Sequence, residues 1–123
     1  MALPFDKNLD GVKVYLKVGS TDFRRGIKGL ISLVEGSMKI HMDDKSLFAF
    51  CSKDRKQIKI IYVEGAGAVL ILRKIRYGRF PWPQNNSDAL LVDVEVLRSL
   101  LVDPISIEAI QARRNVDKIQ LYL

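Results

Sequence analysis

Cysteine and histidine are almost absent from this sequence, in which Cys51 and His41 are the only residues of their kinds. One cysteine cannot form an internal disulfide. One cysteine and one histidine are also too few ligands for a zinc finger, and one histidine is too few for a histidine-pair nickase. Glutamate is also scarce, and no group of carboxylates is spaced to hold the two metal ions of a phosphoryl-transfer enzyme. We therefore expect no metal, no cofactor and no catalytic residues.

Long apolar segments are absent as well. The longest apolar run covers about residues 66–72, and no apolar segment of signal-peptide length opens the chain. We therefore expect a cytoplasmic protein that does not contact a membrane. A length of 123 residues with 48% hydrophobic residues is sufficient for one folded core. We predict a single domain over residues 1–123, with an N-terminal arm at 1–11 and a C-terminal extension at about 104–123.

The spacing of apolar residues predicts an α+β fold. Residues 12–18 alternate between apolar and polar, as in a half-buried strand. Apolar residues at helical spacing follow in residues 21–35 and predict an amphipathic helix. Thr21 or Asp22 is placed to cap the start of that helix.

Three further apolar runs are separated by short links. They cover about residues 46–52, 57–64 and 68–76. Short links favour hairpins, so these runs predict a three-stranded antiparallel meander. Residues 89–92 are typical of a short strand, and a helix is expected after Asp93. The resulting fold is an antiparallel sheet of about four to five strands packed against two or three helices.

The net charge of +6 is concentrated in one segment. Residues 53–79 contain eight basic and two acidic side chains, an excess of six, and the remainder of the chain is balanced. The predicted meander brings the loop at 53–56 and the strand exit at 73–79 to the same edge of the sheet. Such a concentration of positive charge is typical of a surface that binds a polyanion, here DNA. The predicted nucleic-acid-binding residues are Lys53, Arg55, Lys56, Lys59, Arg73, Lys74, Arg76, Arg79 and Trp82.

Trp82 has two interpretations. An exposed tryptophan beside basic residues can stack on a base. The alternative is that Phe80 and Trp82 close one end of the hydrophobic core, since large aromatic side chains are usually buried.

Thr21, Arg24 and Arg25 form a candidate phosphate site. Backbone amides at the start of a helix, next to two arginines, attract an oxyanion. The alternative is that Thr21 or Asp22 only caps the helix and that both arginines are solvated.

Three short motifs occur in an order and spacing that resemble a known family. They are Gly19, Thr21, Asp22, Phe23, Arg24 and Arg25; then Glu64, Gly65 and Gly67; then Gly78, Arg79, Phe80, Trp82 and Pro83. This pattern resembles the accessory protein in the second reading frame of insertion sequences of the sixty-six family. The resemblance implies an accessory role in transposition, beside a separate transposase encoded by the same element.

Charge and resemblance together predict a nonenzymatic accessory protein of DNA transposition that binds nucleic acid through a basic sheet edge. Two alternatives share that edge: a protein adaptor that recruits the transposase, and a free-standing RNA-binding module. The sequence leaves a homo-oligomer open.

Overall fold

A computed structural model describes residues 11–84 and 89–102. The elements in chain order are β1 (Lys13–Ser20), α1 (Ile27–Ser32), a π-helical turn (Leu33–Ser37), β2 (Ser46–Cys51), β3 (Gln57–Glu64), β4 (Gly67–Lys74), β5 (Ala89–Val92) and α2 (Val94–Val102). The fold is therefore α+β, as predicted. Neither helix of this described part is long and apolar enough to cross a membrane.

The five strands form one mixed sheet in the order β4-β3-β2-β1-β5. The predicted meander is confirmed, because β3 pairs antiparallel with both β2 and β4. The expectation of an entirely antiparallel sheet is wrong for one pair, since β1 and β2 run parallel. Residues 21–45 connect these two strands and return the chain to the starting end of β1, as a parallel pair requires.

Both faces of the sheet are covered, which explains why every residue of the central strand β2 is buried. One face packs against α1 and the π-helical turn, with Leu30 and Val34 fully buried against β2 and β3. The other face packs against α2 and the segment that contains Phe80 and Trp82. A strand buried on both sides has few polar positions, which accounts for the sequence Leu-Phe-Ala-Phe at its centre.

The first helix is shorter than its apolar spacing predicts. Thr21 N–H donates to the Cys51 carbonyl at 2.8 Å and so extends the β1–β2 ladder beyond the strand. The Asp22 carboxylate then accepts from Arg24 N–H at 3.0 Å, which forms a local turn in place of a helix start. Gly26 is extended, and α1 begins only at Ile27. The prediction that Thr21 or Asp22 caps the helix is therefore wrong.

Trp82 belongs to the core, so the stacking interpretation of this residue is wrong. Its side chain is 1% exposed, and its indole N–H donates to the Lys17 carbonyl at 2.8 Å. Phe80 lies beside it and is fully buried. A ring that is enclosed by the sheet and α2 has no free face for a base.

The N-terminal arm, apart from Gly11, and the whole C-terminal extension lie outside the described residues. The predicted strand at 89–92 and the helix after Asp93 are confirmed as β5 and α2.

Replacement of Trp82 by Ala should destabilise the protein severely. Removal of a buried tryptophan leaves a cavity and is expected to lower the free energy of unfolding by about 3–5 kcal/mol. The matched control is Tyr77→Ala, because Tyr77 is 83% exposed and its removal should cost less than about 0.5 kcal/mol. Urea denaturation of both variants measures the difference, and equal midpoints would contradict this packing.

Candidate nucleic-acid interface

The two basic segments of the sequence are neighbours in the fold. Ile75 N–H donates to the Lys56 carbonyl at 2.9 Å, and Phe80 N–H donates to the Arg55 carbonyl at 2.7 Å. We call the resulting surface the basic tip. It consists of Lys53, Arg55, Lys56, Arg73, Lys74, Arg76 and Arg79. The predicted juxtaposition is therefore observed, and contact with nucleic acid stays a prediction.

The charges of the basic tip lie on both faces of the sheet end. Arg73 is paired with Ile58 and so points to the face covered by Trp82 and α2, whereas Lys74 is paired with Gln57 and points to the face covered by α1. Within residues 11–84 and 89–102, none of the seven basic side chains forms an ion pair with a carboxylate. Their positive charge is therefore available to a polyanion.

A carboxylate holds the loop of the basic tip in shape. Asp54 accepts hydrogen bonds from the Ser52 hydroxyl at 2.7 Å and from Lys56 N–H at 3.0 Å. These bonds lower the pKa of Asp54, the Ser52 hydroxyl most strongly. Ser52 also accepts from Gln57 N–H at 3.0 Å, which fixes the start of β3. Asp54 therefore shapes the loop, although it also reduces the local positive charge by one.

Lys59 has a structural role that the sequence did not indicate. Its ammonium group donates to the carbonyls of Phe23 and Arg25, both at 2.9 Å, and lies 4.9 Å from the centre of the Phe23 ring. These contacts fasten the loop that precedes α1 to the sheet. Two of its three donors are used within the protein, so we leave Lys59 out of the basic tip.

The candidate phosphate site is not assembled as expected. No helix begins at Thr21, and the Arg24 guanidinium is paired with the Asp22 carboxylate at 2.7 Å. Hydrogen bonds from Arg24 lower the pKa of Asp22 to about 2. Arg25 is exposed, and the Thr21 hydroxyl is buried without a hydrogen-bond partner in the described part of the chain. An anion bound beside Thr21 would be repelled by the Asp22 carboxylate, which already pairs with Arg24.

Two open concave regions adjoin the basic tip where the parallel strands β1 and β2 end. One is lined by Ser20, Thr21, Asp22, Phe23, Ser52, Lys53, Asp54 and Gln57, and the other by Ser20, Ser52, Lys53, Arg55 and Gln84. Ser20, Ser52 and Lys53 line both regions. The concave surface therefore extends from the basic tip toward the ends of β1 and β2, and it adds hydroxyl groups, amide groups and the Asp22 carboxylate.

Tyr77 is the residue of this surface that the sequence interpretation missed. It lies in the loop between Arg76 and Arg79 and is 83% exposed. The Arg76 guanidinium lies 5.9 Å from the centre of its ring. Its signal in the sequence is an aromatic residue next to a glycine between two arginines, which does not by itself reveal the exposure of the ring.

Among the described residues, no three His, Cys, Asp or Glu side chains are close enough to hold a metal ion. Cys51 is buried at the end of β2, and burial raises the pKa of its thiol to about 12.

Two of the three sequence motifs touch each other in the fold. Gly19 N–H of the first motif donates to the Pro83 carbonyl of the last at 2.8 Å. The family model described as IS66 Orf2 like protein matches residues 12–112, which include all three motifs. The chain belongs to this family. It is therefore an accessory protein associated with the transposition of insertion sequences.

Among curated proteins, the chain is similar to two uncharacterized proteins of Sinorhizobium fredii (strain NBRC 101917 / NGR234). Uncharacterized protein y4hO is 31% identical over 99 residues, which are 80% of this chain and 84% of that protein. Uncharacterized protein y4jC is 30% identical over 92 residues, which are 75% of this chain and 78% of that protein. No solved structure matches the chain.

Replacement of Lys59 by Met should show whether the hydrogen bonds of this lysine stabilise the fold. The change leaves the Phe23 and Arg25 carbonyls without their donor, and we expect the free energy of unfolding to fall by about 1–2 kcal/mol. The control Lys74→Met removes an exposed charge of the basic tip and should change stability by less than about 0.5 kcal/mol. Chemical denaturation measures both, and a stable Lys59→Met variant would show that its hydrogen bonds contribute little.

Proposed function

We propose that this accessory protein is nonenzymatic and binds DNA through the basic tip. The observation that carries the proposal is the pair of backbone hydrogen bonds that place loop 53–56 beside the exit of β4. Seven basic side chains thereby meet on one end of the sheet with one acidic side chain, Asp54, among them. Asp54 is bound within its own loop and pairs with none of the seven side chains in the described structure.

The arrangement suits a phosphate backbone better than a small anion. The basic side chains do not converge on one point, because Arg73 and Lys74 lie on opposite faces of the sheet. A linear polyanion that passes over the sheet end can contact several of them in succession and release its counterions. The tip supplies charge and hydrogen-bond donors, which position a nucleic acid without reacting with it.

Binding to DNA should depend steeply on salt, and the dependence should identify the residues involved. Each phosphate contact contributes a slope of about −0.9 to log K against log salt on duplex DNA. We expect Lys53→Ala/Lys56→Ala to reduce that slope by up to about 2. The matched control is Lys13→Ala/Lys28→Ala, which removes the same charge from exposed positions outside the tip and should leave the slope nearly unchanged.

Fluorescence anisotropy over a salt series on duplex DNA, single-stranded DNA and RNA of one sequence measures these slopes. Equal slopes for the two double variants would contradict the basic tip as the binding surface. A lack of binding to both forms of DNA at low salt would contradict DNA binding altogether. Clear preference for RNA would favour the RNA-binding alternative.

The adaptor alternative is favoured by a separate observation. β4 lies at one edge of the sheet, and Leu72 on that strand is 56% exposed. An edge strand offers unpaired backbone groups to a strand of another protein, for which the transposase of the same element is the natural candidate.

The adaptor alternative predicts that Leu72→Lys prevents copurification with the transposase. A charged side chain at the centre of the contact opposes strand addition. The matched control is Leu91→Lys, because Leu91 is 58% exposed on β5 at the other edge of the sheet. Copurification that survives Leu72→Lys would rule out this edge as the contact.

A further inference from the structure

Tyr77 is exposed to an unusual degree for its size. In the described part of the chain it is 83% exposed, and the next large hydrophobic side chains are Leu91 at 58% and Leu72 at 56%. Most large aromatic side chains bury much of their ring against the protein. The ring of Tyr77 is therefore presented to solvent.

The backbone determines this exposed position. Ile75 and Phe80 are bound to the carbonyls of Lys56 and Arg55, which are adjacent residues, so the four residues between them project as a closed loop. Gly78 within that loop has φ of 76°, a conformation that glycine adopts without strain. We call residues 76–79 the tip loop. Both ends of the loop are pinned, which holds the ring away from the sheet.

The surroundings of the ring are cationic. Arg76 and Arg79 lie in the same loop, both exposed, and the Arg76 guanidinium is 5.9 Å from the ring centre. Arginines that bind phosphates bring the attached bases within reach of an aromatic ring at the same place. An exposed aromatic ring next to such arginines is the arrangement that single-stranded nucleic-acid-binding proteins use to stack bases.

The bases of duplex DNA are poorly placed to stack on an exposed aromatic ring. In a duplex the faces of the bases are stacked on one another, and only their edges are accessible in the grooves. An unpaired nucleotide exposes both faces, and stacking is tolerant of sequence because every base has such a face. A ring that stacks on bases therefore favours unpaired bases over duplex.

We propose that the tip loop binds unpaired bases of DNA, with the ring of Tyr77 as the stacking surface and Arg76 and Arg79 on the flanking phosphates. This inference rests on the proposed function, because the basic tip supplies the phosphate contacts. It adds a preference for single-stranded or locally unpaired DNA over duplex. An ordinary surface tyrosine would give no such preference.

The test compares Tyr77→Ala and Tyr77→Phe with the unchanged protein on a single strand of about 16 nucleotides and on the matching duplex. Leu91→Ala is the control, since it removes exposed apolar surface from β5, at the far edge of the sheet from β4. Tyr77→Ala should bind the single strand roughly 5- to 150-fold more weakly, which is the contribution of one stacked base. Its duplex affinity should change by less than about 2-fold. Tyr77→Phe and Leu91→Ala should retain the affinity of the unchanged protein.

The outcomes separate the two proposals. Salt-dependent DNA binding with equal single-strand affinity for the unchanged protein and Tyr77→Ala would overturn the stacking role and leave the basic tip in place. Equal losses on single strand and duplex in Tyr77→Ala would also overturn it, because such losses indicate a change of loop shape. If the unchanged protein binds neither form of DNA, the proposed function fails and the inference fails with it.

Discussion

The basic tip depends on two backbone hydrogen bonds, from Ile75 N–H to the Lys56 carbonyl and from Phe80 N–H to the Arg55 carbonyl. They join the loop between β2 and β3 to the chain that leaves β4, and so bring together charges that are about 20 residues apart in sequence. The acceptors are the main-chain carbonyls of Lys56 and Arg55, so these bonds do not engage the cationic side chains of the two residues. Burial of Phe80 and Trp82 immediately afterwards anchors the same segment in the core. One short stretch of chain, residues 73–82, therefore carries both exposed basic side chains and buried core residues.

Much of this arrangement follows from the sequence alone. Alternation of apolar residues and the short links between runs predict β2, β3 and β4, and hairpin geometry then places loop 53–56 near the exit of β4. Local rules suffice because each of these pairings joins neighbouring elements. The family likewise follows from short motifs, and two of those motifs are in contact through Gly19 and Pro83.

The remainder depends on contacts between distant residues. The parallel pairing of β1 with β2 is set by how residues 21–45 cross the sheet, which apolar spacing does not reveal. The late start of α1 results from competition between helix and other backbone pairings. Thr21 N–H bonds to Cys51 and extends the β1–β2 ladder, and the Asp22 carboxylate accepts from Arg24 N–H in a local turn. In the sequence, Lys59 and Trp82 stand among basic residues and so resemble binding residues. In the fold, both side chains donate hydrogen bonds to carbonyls that are far away in the chain. The exposure of Tyr77 could not be predicted from the sequence, because it depends on how the loop between Ile75 and Phe80 folds.

The bond between the Trp82 indole and the Lys17 carbonyl spans 65 positions of the chain. β1 occupies the interior of the sheet, and in the described part of the chain this side of it is covered by Trp82 and α2, which are synthesised much later. During elongation, a nascent chain that ends before Phe80 exposes an apolar sheet face and one unpaired side of β1. Such surfaces promote self-association. The Phe80–Pro83 segment therefore also protects the sheet, and a chain truncated before Phe80 would leave these apolar surfaces open to self-association.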